Sequence, residues 1–437
     1  MKGRSRKFAM PEPEATNLQR PVALKVLLCL CAAAAFTLCV SAHEPITTKV
    51  RFNNELVRVF QRSCLGCHHP GGIAMSLVTY EEARPWAKAI KEEILEKRMP
   101  PWPAVKGYGE FRNAPVLTQH EIDLIVNWVE GGAPKGEDKD LPPGPLVSDE
   151  WPLGKPSLTL KVSDKIDVAG DANVERMFTI ETKLKEDRSI EAVDLRPGNT
   201  SIVHCATIMV EAAESAAKTD RNKTEKAKTN QLVASPQAPA LTTVLGTWMP
   251  GQKPVVLPDG VSQLLPVGAR IVVKIHYRGA GEAARDQSSI GLYFAKAPAR
   301  RQLREVAISS PDALIPEGAA AHRVDAAFAV QEDAEAIAIR PRAHPLVISL
   351  QATAYRPDGT QQVLIWSRGY RSDWQPAYYF KRPIALPKGT RIEVVAYFDN
   401  SDGNRDNPND PPKQVRWSEL TSDPLCALLI ANNRATE

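Results

Sequence analysis

Cys64, Cys67 and His68 stand in the run SCLGCHHPGG, residues 63–72. The order Cys-x-x-Cys-His is the attachment pattern of a covalent c-type haem. Two thiols add across the haem vinyl groups as thioethers, and the adjacent imidazole reaches the iron from the proximal face. Two other chemistries compete for the same residues. A structural zinc needs two more thiol or imidazole ligands, and the run offers only His69, with His120 far downstream. A redox dithiol needs a strand before it and a helix opening at it, whereas here a helical pattern ends at the motif.

Met99, in KRMPPWP, is the expected sixth iron ligand. Prolines after a methionine hold the backbone rigid where a thioether must point at iron. A His/Met pair raises the reduction potential and suits electron transfer. Met75 is the rival ligand. The alternative is that Met99 fills core space at a helix end. His69 reads as a solvated neighbour.

The elements that must hold these residues read as helices from Asn53 to about Pro134. NNELVRVFQRSC places Leu56, Val57 and Phe60 at helical spacing. TYEEARPWAKAIKEEILEKRMPP is a second helix, capped by Thr79 and stopped at Met99-Pro100-Pro101. LTQHEIDLIVNWVEGGAP is a third, with a Thr118/Glu121 capping box and Gly131-Gly132 at its end. Residues 50–135 thus resemble a class I-type cytochrome c. Such a resemblance implies an iron with both axial positions filled, which passes electrons and binds no substrate.

Residues 136–156 are charged, then rich in Pro and Gly, and read as a linker. Beyond Pro156 the pattern changes to period two, with turn signals between short apolar runs. This predicts β-sandwiches over 157–300 and 301–437. A polar, Ala/Lys-rich insertion at about 211–240 interrupts the first. The expected fold is multidomain: a small all-α cytochrome c domain followed by two all-β jelly-roll-like sandwiches.

At 437 residues the chain has room for two to four domains. Its net charge of +4 is small for this length, and no Arg/Lys-rich aromatic platform marks a nucleic-acid partner. Three of its seven cysteines, Cys29, Cys31 and Cys39, fall in the apolar run PVALKVLLCLCAAAAFTLCVSAHEP, which follows a basic start. Residues 1–42 therefore read as a secretory signal, cleaved after Ala42, or as an uncleaved N-terminal anchor, since the run approaches the ~20 residues that span a membrane. A lipid anchor at Cys39 fits poorly because Leu38 occupies a small-residue position. Either way the mature part is exported, to the periplasm or the outer face of the inner membrane, where disulfides are allowed and haem attachment takes place.

Three β-region stretches, RPGNTSIVHCATIMV, PVGARIVVKIHYRGAG and LPKGTRIEVVAYFDNSDGNRDNPNDPPKQVRWSE, resemble the copper type II, ascorbate-dependent monooxygenases. With LVRVFQRSCLGCHHPGGIA and ARPWAKAIKEEILEKRMPPWPA, the chain is similar to bacterial proteins that fuse a cytochrome c to that fold. The resemblance implies two copper sites. One takes a His-His pair and a third His; these fall on His204, Cys205 and His276, so a thiol replaces one imidazole. The other takes His-x-His and a Met. Only His344 is kept there: Leu346 replaces its partner, and Leu425 or Cys426 stands near the Met position. His2Cys is a good donor set for copper, whereas one His cannot hold the hydroxylating copper. Adjacent strand residues point to opposite faces, so His204 and Cys205 can share a metal only if the backbone is irregular there. Cys205 as a small buried hydrophobe, or a Cys205–Cys426 disulfide, are the alternatives.

The expected function is an exported c-type haem electron-transfer protein, working with redox partner proteins of the periplasm or membrane respiratory chain, whose copper-monooxygenase-like region has lost hydroxylase activity. The alternatives are a copper-dependent monooxygenase reduced internally by the haem, and a non-catalytic copper-binding protein.

Overall fold

The computed structural model describes residues 47–433 except 144–145, 148–149, 163–164, 212–241, 297–298, 342–343, 370–373 and 421–424. The N-terminal segment 1–42, with Cys29, Cys31 and Cys39, lies outside the described residues, as does nearly all of the expected insertion. Among the described residues no helix is long and apolar enough to cross a membrane.

Strands dominate. Eight form one long sheet in the order 158–161, 289–294, 188–196, 261–265, 301–308, 426–433, 334–341 and 378–386. Two four-stranded sheets pack against it, each over one half. The first runs 173–181, 270–278, 203–211 and 242–248; the second runs 322–329, 391–398, 347–355 and 361–368. The alternating apolar pattern of these strands has a direct outcome. Ile271, Val273, Ile275 and Tyr277 of one strand are fully buried in the first core, while Lys274 and His276 between them face the other way.

The expected architecture of a small all-α cytochrome c domain followed by two jelly-roll-like sandwiches needs correction. The helices are short: Val57–Ser63, Tyr80–Ala83, Ala87–Leu95 and Gln119–Glu130, the last being the longest at 12 residues. They gather on Phe52, Phe60, Ile125 and Trp128, but the segment between them is built into the β region. Ala104 bridges Ser367 and Phe111 bridges Phe380. Val105 N–H donates to the Trp366 carbonyl at 2.7 Å, and Arg112 N–H to that of Tyr379 at 2.9 Å. Phe111 is buried in the second β core, with Trp102 packed against it. No self-contained α domain results. Nor are there two separate sandwiches, because strand 301–308 pairs in parallel with 261–265, Arg301 opposite Val261. Leu303, Ile337 and Leu429 join Leu257 and Val261 in a further apolar cluster at that junction.

Local signals act as the sequence predicts. Thr118 and Glu121 form a reciprocal capping box, as do Thr79 and Glu82. The second helix is broken, however. Pro85 lacks the N–H an α-helix interior requires, and Arg84–Trp86 tightens to a 3₁₀ turn.

Candidate functional site

The helix Val57–Ser63 ends at the thiol loop. Cys64 N–H donates to the Phe60 carbonyl at 2.7 Å, and the Cys67 and His68 amides fold back onto the Cys64 carbonyl at 3.1 and 3.0 Å. This tight turn sets both thiols and the imidazole side by side. Gly72 permits it, since a Cβ there would lie 2.5 Å from the Cys67 carbonyl oxygen. His68 Nδ1 lies 2.9 Å from the Met75 carbonyl. A carbonyl only accepts, so Nδ1 carries the proton and Nε2 is left with its lone pair.

Burial pushes the Cys64 thiol up to about 12, with Cys67 alongside adding to the shift, and pushes Cys67 up to about 11. Burial lowers the His68 pKa. The loop therefore holds two neutral thiols and a neutral imidazole. A redox dithiol needs the opposite, a depressed thiol pKa. Among the described residues no group of three or more His, Cys, Asp or Glu is arranged to hold a metal, which also weighs against zinc.

Cys64, Cys67 and His68 line a cavity of about 690 Å³, within the usual ~300–1,000 Å³ of a cofactor pocket. Leu77, Ile90, Ile94 and Leu117 make its wall apolar, and Met75 and Met99 both reach it. These donors and this wall fit a haem: two thiols for its vinyl groups, an oriented imidazole and a thioether for iron. His69 does not join them; its Nδ1 lies 2.9 Å from the Pro70 carbonyl.

The cavity is not closed by helices alone. Ser201, His204, Arg278, Gly279 and Trp374 complete it from the β side. The sequence carries no signal for this wall beyond the RGAG that follows His276. Three contacts lock the two sides together. Cys67 Sγ–H donates to the Pro250 carbonyl at 3.3 Å, Thr200 Oγ1 donates to the Gly71 carbonyl at 2.6 Å, and Gly66 meets Gly251 so closely that a Cβ on Gly66 would lie 2.6 Å from its Cα.

The structure also brings His204 and His276 together. The ladder between strands 203–211 and 270–278 skips between Val203 and Cys205, making His204 the extra residue and setting Cys205 opposite His276. The backbone irregularity that the shared-metal reading needs is thus present. The two rings meet edge-on at 5.2 Å between centroids. His276 Nε2 is engaged with Asn173 Oδ1 at 2.7 Å, and burial, with His204 beside it, lowers its pKa. His204, Cys205 and His276 are thus neighbours, although among the described residues no group of three or more His, Cys, Asp or Glu is arranged to hold a metal.

His344 packs beside Leu346 and Trp417. Its Nδ1 accepts the Leu346 N–H at 3.2 Å, and its ring faces Trp417 at 6.0 Å. Leu346, Leu425 and Cys426 are fully buried, and burial pushes the Cys426 thiol up to about 12. Cys205 and Cys426 are not joined in a disulfide.

No protein-family model and no curated protein matches the chain. Among solved structures, infectious bursal disease virus of the Gx strain is 10% identical, over 64% of this chain and 74% of that one, with a TM-score of 0.19. A xanthan lyase of Paenibacillus is 7% identical, over 66% of this chain and 27% of that one, with a TM-score of 0.16. Likenesses this distant carry no argument about fold or function.

Proposed function

We propose that the chain is an exported c-type haem electron carrier, with thioether links to Cys64 and Cys67 and iron ligands His68 and Met99. When bound, the haem supplies one-electron transfer between redox partner proteins of the periplasm or membrane respiratory chain. The observation that carries the reading is His68. Its Nδ1–H is committed to the Met75 carbonyl at 2.9 Å, which orients the other ring nitrogen as a ligand. It does so in an apolar cavity that both thiols and Met99 share. Met75 uses its backbone to hold that ring, and this favours Met99, from a separate segment, as the second axial donor. The β side supplies part of the cavity wall.

Haem content and intact mass test this. Protein matured with haem shows a thioether-type pyridine haemochrome and the mass of one haem; Cys64→Ser together with Cys67→Ser abolishes both. Full-length protein that carries no covalent haem overturns the reading.

A non-catalytic copper site is the second reading, favoured only by the His204–His276 approach at 5.2 Å. A copper monooxygenase has less support still, because of the donors expected at the second copper only His344 is kept, Leu346 standing in place of its partner. Copper per haem after chelator washing separates these: near zero keeps the electron carrier alone, near one admits the second reading, and near two brings the monooxygenase forward.

A further inference from the structure

A second cavity, of about 730 Å³, adjoins the first and shares Ser63, Cys64, Cys67, Pro100, Pro101 and Trp374 with it. Its described lining is rich in proline and carries three indoles, Trp102, Trp248 and Trp374. It also carries Arg62, Arg112 and Lys253, and no Asp or Glu. Arg62 is already paired with Glu121. Arg112 has no carboxylate partner among the described residues: its Nη2 donates to the Val256 carbonyl at 2.8 Å, and its guanidinium lies 5.6 Å from the centre of the Tyr379 ring. Arg112 is exposed, so its guanidinium stays charged and open to pairing with an anion. Flat indole and proline surfaces favour the faces of a planar ring.

We propose that this cavity binds a small planar aromatic anion, a carboxylate or phenolate, with Arg112 as the charge partner and the indoles against the ring. The bound ring would lie beside the thiol loop, whose Cys64 and Cys67 line both cavities. The inference needs only the second cavity and goes beyond the haem reading.

The test is isothermal titration of the full-length, haem-matured protein with 2-naphthoate. The expected result is saturable one-to-one binding, at least tenfold weaker for the uncharged naphthalene-2-methanol and at least tenfold weaker for Arg112→Gln. Arg112→Lys retains most of the affinity. The uncharged ligand needs no variant, so the comparison survives a misfolded substitution. Absence of saturable binding, equal binding of the uncharged ligand, or full affinity in a folded Arg112→Gln protein would overturn the proposal. Haem content is measured on the same sample. Binding without haem keeps this inference and sinks the haem reading; haem without binding does the reverse.

Discussion

A Cβ added to Gly251 would come within 2.7 Å of Cys67 Sγ: the β region meets the thiol loop with no side chain between them. Gly251 also has φ +74, a region that other residues enter only with strain. Gly251→Ala is expected to destabilise the protein by about 1–3 kcal/mol through overpacking and backbone strain. It should also lower the yield of covalent haem. Urea denaturation and the haemochrome spectrum measure the two effects, and an unchanged midpoint would show that the loop and turn separate freely.

The two candidate thioethers differ in their consequences. Met99→Leu is expected to lower the reduction potential of the haem-loaded protein, because a Met/His pair holds it high. Met75→Leu leaves the Met75 carbonyl, and so His68, in place, and should shift the potential little. Spectroelectrochemical titration of both variants checks this; the reverse pattern would make Met75 the ligand.

Asp194 gives a pH signature remote from the site. It is buried, its Oδ1 accepts the Leu195 N–H at 2.8 Å, and burial pushes its carboxyl up to about 7. A folded acid with a raised pKa binds more protons than the unfolded chain does. Stability on this account is full below about pH 4 and falls as pH rises to about 7. Asp194→Asn should remove that fall, on the order of 4 kcal/mol, and so should stabilise the protein most above pH 7. Denaturant midpoints at pH 5 and pH 8 decide it; equal gains at both would assign the effect to packing.

Copper removal should leave the protein's fold intact. Since His204, Cys205 and His276 form no metal-holding group, a chelator wash is expected to leave the thermal midpoint unchanged. His276→Ala should act through the lost contacts with Asn173 and the His204 ring, by about 1 kcal/mol. A midpoint that rises on adding copper would show a tight site.

The thiol loop and the Thr118–Glu121 capping box were legible in the sequence because each is complete within a few consecutive residues. The period-two runs likewise announced strands. The pairing of Arg301 with Val261 and of Ala104 with Ser367 was not legible, since no local pattern records which strand edge meets which. The same limit hid the cavity wall: Trp374 and Arg278 are distant from Cys64 in sequence, and only the fold makes them neighbours. The need for an irregular backbone at His204–Cys205 could be stated from strand geometry. The Asn173 side chain that occupies His276 Nε2 could not.

The long sheet that runs unbroken from strand 158–161 to strand 378–386 makes the two β halves a single girder. A hinge between them would have to tear a backbone ladder and open the Leu303–Leu429 cluster. Any traffic between the thiol loop and the far half therefore crosses a span of fixed length. Under load or denaturant, both halves should yield together.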